Sequence, residues 1–376
     1  MNVLWYLTAP DGRYPWKKDG ARKMDHAYLQ QLARAYDHLG FTGALLATGA
    51  HDVWVLGASL LPFTERMRFL TAIHPGLIPP VLLAKMAATF QDFSQGRLLL
   101  NIVSGDAKML GAYGMTLPHD ERYVMADEYL TVFRRILAGE TVTFKGRHVE
   151  TTEAKLALSG ADPIVQPDLW FGGSSEAAIE VAAKHVDTYL SWGETPDEMA
   201  AKVERVRARA TAHGRVLGYG IRLYVVVRET DEEAWAAAQD LHDHMDDAAI
   251  AANARFVAGT DSVGQQKMTA LHGGLKPKFA RDLEIAPGLW AGLGLVRPGP
   301  GTAIVGSPET VIATLRAYQA AGIETFILSG MPLLEEAYRF AELVLPHLDV
   351  ARTPRAGSAF TWSNLFDRDL SAKAAG

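Results

Sequence analysis

The chain of 376 residues contains no cysteine, which removes disulfides, thiolate nucleophiles and cysteine-based metal sites together. No metal site is expected. Basic residues are not in excess: 37 lysines and arginines against 43 aspartates and glutamates give a net charge of −6. That balance disfavours general binding to nucleic acid or to an anionic membrane. The start, Met1-Asn2-Val3-Leu4-Trp5-Tyr6-Leu7, has no basic segment and only five consecutive apolar residues. It falls short of a secretory signal and of a membrane span, so a cytoplasmic protein is expected. No Pro/Ser-rich linker divides the chain, and no G-x-G-x-x-G follows the first apolar run. What is present is ample core material, with 48% hydrophobic and 21% charged residues.

Short apolar runs alternate with longer amphipathic stretches. Val3–Leu7 reads as a strand followed by a helix over Asp25–Leu39. Gly43–Leu46 pairs likewise with Trp54–Thr64, Arg68–Ile73 with Pro79–Phe93, and Leu98–Val103 with Glu121–Leu137. After an excursion containing Lys145-Gly146-Arg147 come Pro167–Phe171 with Glu176–Lys184 and Thr188–Ser191 with Pro196–His213. Gly220–Val227 with Asp231–Asp246, and Thr325–Leu328 with Leu334–Leu348, complete eight strand–helix units. Strands without polar alternation need cover on both faces, and crossover helices supply it. Eight such units predict a (β/α)8 TIM barrel with its reactive residues at the C-terminal strand ends. A doubly wound open sheet is the alternative, weakened by the missing dinucleotide fingerprint. Residues 247–300 stand outside the repeat as a long insertion, either a lid or binding loop or a disordered segment. The tail 351–376 carries Phe360, Trp362 and Phe366 in a polar setting, which suits a subunit contact or a solvated end.

Two short segments carry donors suited to a phosphate. In Phe171-Gly172-Gly173-Ser174-Ser175 a strand turns tightly into a helix, whose unpaired N–H groups and positive dipole end attract an anion. In His119-Asp120-Glu121-Arg122-Tyr123, His119 and Tyr123 are four apart and share a helix face. Such a pair also serves ordinary capping and packing, but both segments fall on one side of the same barrel mouth. If they hold one phosphate, the chain binds a flavin mononucleotide. Arg222 sits in the apolar run Tyr219-Gly220-Ile221-Arg222-Leu223-Tyr224, where it needs either a buried carboxylate or an anionic ligand. Arg297 lies in a glycine-rich loop at the end of the insertion and is either solvated or directed at the same anion. Two converging guanidiniums match a tetrahedral oxyanion. Trp192, past the sixth strand, is a pocket wall or a core residue.

These stretches resemble the bacterial-luciferase-like flavin monooxygenases, and within them the alkanesulfonate monooxygenase branch, over residues 1 to about 350. The resemblance rests on Asp25 to Gln31, His119 to Tyr123, Phe171 to Ser175, Gly220 to Leu223, Thr260 to Gln266 and Leu289 to Arg297, in that order along the chain. It implies one barrel domain over residues 1–350 and reduced FMN (FMNH2) delivered by a separate NAD(P)H-dependent flavin reductase. It also implies O2 as co-substrate, cleavage of a C–S bond to sulfite and an aldehyde, and a homodimer or homotetramer. Carried over, His119, Tyr123, Gly173, Ser174 and Ser175 hold the phosphate. Thr48, Asn101 and Ser104 border the ribityl chain or ring, Trp192, Arg222 and Arg297 line the sulfonate pocket, and the insertion closes over the site.

The departures are informative. The family's cysteine-bearing segment after the second strand is Thr48-Gly49-Ala50-His51-Asp52 here. Its histidine two residues past the strand-seven arginine is Tyr224, and the tyrosine and histidine of its Gly-Tyr-Pro-His segment are Met331 and Leu333. An N-terminal histidine gives way to Thr8-Ala9-Pro10-Asp11. The arginines stay while the groups around the organic part change. Tyr224, His51, Asp52 and Asp11 then suit a hydroxylated sulfonate such as sulfoquinovose, which would yield 6-oxo-glucose; a simple alkanesulfonate is the alternative. His51, Tyr224 and the flavin peroxide itself are candidates for handling the α-proton. The rival readings are a deazaflavin-dependent oxidoreductase on the same barrel and a flavin- or sulfonate-binding protein without turnover.

Overall fold

The computed structural model describes residues 1–105, 107–157 and 165–351. Eight apolar runs become parallel strands: β1 (Asn2–Tyr6), β2 (Gly43–Leu46), β3 (Arg68–Ile73), β4 (Leu98–Ile102), β5 (Asp168–Gly172), β6 (Thr188–Trp192), β7 (Gly218–Val227) and β8 (Thr325–Ser329). Each pairs with the next. β8 pairs back onto β1, from Asn2↔Thr325 to Trp5↔Leu328, and closes the barrel. The TIM-barrel expectation is met. The tail aromatics Phe360, Trp362 and Phe366 lie outside the described residues.

Around the barrel run α1 (His26–Leu39), α2 (Val53–Leu60), α3 (Pro80–Ser94), α4 (His119–Leu137), α5 (Glu176–His185), α6 (Pro196–Ala212) and α7 (Asp231–Asp243). Then come α8 (Asp247–Ala258), α9 (Val263–His272), α10 (Pro308–Ala320) and α11 (Leu333–Leu343). Local chemistry sets their starts. Asp25, Asp52, Ser175 and Ser307 accept hydrogen bonds from first-turn N–H groups, and Thr195 with Glu198 forms a reciprocal capping box, each cap worth about 1 kcal/mol. Gly40 ends α1 in the left-handed region at φ 85°, where a side chain would be strained.

The core fills the layer between strands and helices. At the β8–β1 seam, Trp5 meets Phe41 at 5.1 Å and Phe340 at 5.6 Å between ring centroids. Its indole N–H donates to the Leu333 carbonyl at 3.1 Å. A second cluster, including Tyr224, Trp235, Trp290, Leu293 and Met331, packs beneath the insertion.

The insertion is more ordered than a loop. It forms α8 and α9, then a small antiparallel pair, Glu284–Ala286 with Leu289–Trp290. The latter strand joins Ala303–Gly306, which pairs in parallel with the outer half of β7, Tyr224↔Ala303 to Val227↔Gly306. The strand Ala303–Gly306 and α10 together make a strand–helix unit that the sequence pattern passed over. β7 is ten residues long, so its first half serves the barrel and its second half carries this extra strand. None of the helices among the described residues is long and apolar enough to cross a membrane.

Candidate active site

The C-terminal strand ends open into a cavity of about 390 Å³, the position at which this architecture assembles reactive groups. β4 supplies Asn101 and, just past its end, Ser104; the β5–α5 turn supplies Gly172, Gly173, Ser174 and Ser175; β6 supplies Ser191 and Trp192; β7 supplies Arg222. Thr48 enters from beyond β2, and His119 and Tyr123 from the first turns of α4. The insertion adds Phe256, Thr260 to Gln265, Pro298 and Gly299. Ten of the residues singled out in the sequence therefore line one cavity.

The β5–α5 turn depends on its glycines. A Cβ at Gly172 would stand 2.4 Å from the Leu190 carbonyl oxygen, and one at Gly173 2.5 Å from the Ala178 Cβ. Only glycine lets the backbone lie this close. Ser175 then caps α5, accepting from the Ala178 N–H at 3.2 Å. Across the opening, the His119 and Tyr123 rings meet edge to face at 5.0 Å. His119 Nδ1 lies 2.9 Å from the Asp120 carboxylate. With that nitrogen donating, Nε2 donates as well only when the ring is the imidazolium.

Arg222 lines the cavity, whereas Arg297 lies behind its wall. The Arg222 guanidinium carbon is 4.8 Å from the centre of the Tyr6 ring, and that of Arg297 is 5.6 Å from the Tyr224 ring. No carboxylate among the described residues pairs with either arginine. Burial pushes the Tyr224 phenol above its ordinary pKa, so it stays a donor. Tyr224 Oη and Arg297 Nε are buried without a well-directed hydrogen-bond partner, as are Thr302 Oγ1 and Ser329 Oγ. Thr302 and Ser329 belong at the same level: the Thr302 carbonyl accepts from the Tyr224 N–H at 2.9 Å, and Ser329 is the β8 partner of Tyr224. A Cβ at Gly193 would fall 1.6 Å from Thr302 Oγ1, so the threonine fits only against glycine.

Three expected polar contacts do not form. His51 is exposed in the bend before α2 and does not line the cavity. The Asp52 carboxylate caps α2, accepting from Trp54 and Val55. Asp11, 1% exposed, accepts from the Leu333 N–H at the start of α11 and from the Tyr28 hydroxyl. Helix ends consume both carboxylates.

Sequence reading missed three groups. His74, just past β3, has Nδ1 3.0 Å from the Val103 carbonyl and Nε2 2.8 Å from Thr48 Oγ1. Because a carbonyl only accepts, Nδ1 carries a proton, and in the neutral ring Nε2 accepts from Thr48. Arg122 on α4, 2% exposed, donates to the Gly105 carbonyl at 2.7 Å and pairs with Asp261 of the insertion. Lys202 on α6 reaches the cavity wall from outside. Their partners lie 8 to 139 residues away in sequence and on other elements, so no local pattern marks them.

The chain belongs to the luciferase-like monooxygenase family, whose sequence profile matches residues 2–325. Among solved structures it is similar to a riboflavin lyase with modified FMN and substrate riboflavin (20% identity, TM-score 0.75, covering 95% of this chain and 94% of that one). It is similar also to a long-chain alkane monooxygenase (18%, 0.76, 95% and 93%) and to an EDTA monooxygenase from Chelativorans sp. BNC1 (17%, 0.71, 92% and 93%). At these identities the likeness concerns the fold.

Proposed function

We propose that this member of the luciferase-like monooxygenases uses reduced FMN and O2 to cleave the C–S bond of a polar organosulfonate, releasing sulfite and an aldehyde. For sulfoquinovose the aldehyde is 6-oxo-glucose. The observation that carries the reading is Arg222 in the cavity wall, with Arg297 behind it beside Tyr6 and Tyr224 and no carboxylate partner for either among the described residues. A guanidinium that lines a cavity without a carboxylate partner is open to an anion, and a sulfonate supplies that charge with three oxygens for bidentate contact. Behind the cavity wall the Tyr224 hydroxyl stands beside Arg297, and this polar pair favours a hydroxylated substrate over a plain alkyl chain.

The donor set of the β5–α5 turn fits a phosphomonoester. Ser174, Ser175, Tyr123 and the open N–H groups of α5 are neutral donors, and His119 adds a donor that can be cationic. These residues would hold the FMN phosphate, with Asn101, Ser104 and Thr48 along the ribityl chain or ring. When bound, reduced FMN supplies the two electrons that activate O2. The chain's part is to orient. Arg222 and Arg297 clamp the sulfonate, and Trp192 forms a wall beneath α9, where a Cβ on Gly264 would lie 3.4 Å from the indole. The insertion 247–300 acts as a lid that excludes water, within one catalytic domain spanning residues 1–350. The reductant comes from a separate NAD(P)H-dependent flavin reductase.

The test is sulfite release in air, with a flavin reductase, NADH and FMN, across octanesulfonate and sulfoquinovose. Sulfite and aldehyde in equal amounts from sulfoquinovose are expected. Sulfite from octanesulfonate alone would overturn the polar substrate. No sulfite from any member, with FMN bound, would overturn the reaction and leave a deazaflavin oxidoreductase or a non-catalytic binder.

A further inference from the structure

We propose that Lys202, paired with Glu194 in the wall of the cavity, is a positioning residue that turns the hydroxyls of Ser174 and Ser191 toward the phosphate of the cofactor and so sets the preference for a phosphorylated flavin. The inference rests on the phosphate reading given above. Lys202 projects from α6 and is 5% exposed, as is Glu194 just past β6. Its ammonium lies 2.9 Å from Ser191 Oγ and 3.4 Å from Ser174 Oγ, and is in direct contact with a Glu194 carboxylate oxygen. Ser174, Ser191 and Glu194 all line the cavity.

An ammonium has three donors and no acceptor, and here three oxygens take them. Each serine oxygen thus accepts from Lys202 and keeps its own O–H proton to give. No acceptor among the described residues takes either proton, so both are available to an anion in the cavity. The charges agree with this. Lys267, from α9, stands 3.5 Å from the second Glu194 oxygen, so this corner holds two ammonium groups against one carboxylate. A buried ion pair contributes little to stability by itself, but donors fixed in advance and backed by positive charge act strongly on an incoming dianion.

The experiment is fluorescence titration with oxidised FMN and with riboflavin, the two differing only in the phosphate. Wild type, K202M, K202M/E194Q and E194Q are compared; the double variant removes both charges together and answers for any folding defect of K202M. The wild-type ratio is read first. A wild type that binds both flavins equally overturns the phosphate reading itself. With a wild type that prefers FMN, loss of Lys202 is expected to weaken FMN about ten- to hundredfold, the range for a hydrogen bond to a charged group, with riboflavin unchanged. E194Q is expected to keep or increase the preference. If K202M and K202M/E194Q shift both flavins together, or leave the ratio unchanged, Lys202 is a packing residue and this proposal falls.

Discussion

On the sulfonate reading Arg222 and Arg297 serve binding while forming no ion pair that holds the fold, and the two contributions can be measured apart. Neither has a carboxylate partner among the described residues and both are half-buried, so replacement by methionine breaks no ion pair and leaves no carboxylate unpaired. The melting temperature of R222M and of R297M should hold or rise, where breaking a true buried ion pair would cost about 3–5 kcal/mol. Over the same change, kcat/KM for the sulfonate should fall by about 30- to 4,000-fold, the loss that follows when a buried charge contact of about 2–5 kcal/mol is truncated. Calorimetry and steady-state kinetics on the same preparations check both; a lowered melting temperature with intact kcat/KM would make the arginines structural. Tyr224→Phe isolates one oxygen. Because its hydroxyl has no well-directed hydrogen bond, the substitution should alter stability by less than about 1 kcal/mol. Competition between sulfoquinovose and octanesulfonate should shift toward the alkyl substrate.

At the scale of elements, α4 and α5 are joined by Asp127, which contacts His185 and Lys184. The His185 hydrogen bond, ahead of Lys184, holds the Asp127 pKa down to about 2 from 3.8. A depressed carboxylate stabilises above its unfolded pKa, and that contribution is lost as pH falls toward the folded value. Urea midpoints of wild type and D127N should therefore differ at neutral pH and converge between about pH 4 and pH 2. A gap that persists through this window would assign the effect to packing. The elements themselves were largely legible, since all eight barrel strands appear within a residue or two of the apolar runs that predicted them. What escaped was Ala303–Gly306 with α10. A four-residue strand following Pro298-Gly299-Pro300-Gly301 has too little length to show a period, although Ser307-Pro308 marked the helix start. The β5–α5 turn was readable because a strand–Gly-Gly–Ser turn is local. Lys202 and His74 were not, because their meaning lies in atoms that closure of the barrel brings to them. Asp11 and Asp52 misled for the converse reason: a carboxylate near a site in sequence is often consumed by a helix end.

For the molecule as a whole, the question is what holds the insertion over the cavity. Within it, the Asn253 amide donates to the carbonyls of Gly294 and Leu295, and the Gly299 N–H donates to Gln265 at 2.7 Å, so α8, α9 and the Arg297 loop are tied to one another. Its link to α4 is the Arg122–Asp261 pair. Arg122 is buried while the Asp261 side chain is 41% exposed, so removing the aspartate's charge weakens the latch and leaves Arg122 bonded to Gly105. A hydrogen bond to a charged group is worth about 1.5–3 kcal/mol, and partial exposure of Asp261 places the effect at the lower end. D261N should then raise the open fraction of the lid about tenfold, since 1.4 kcal/mol is a factor of ten in an equilibrium. Two readouts follow from one cause. Hydrogen exchange in α8 and α9 should quicken while exchange in β1 to β8 is unchanged. With reductase and substrate present, sulfite formed per NADH should fall and hydrogen peroxide should rise, because water and free oxygen reach the reduced cofactor before the sulfonate is clamped. Faster exchange with unchanged coupling would separate the latch from catalysis, whereas poorer coupling without faster exchange would mean that Asp261 acts on the cavity directly.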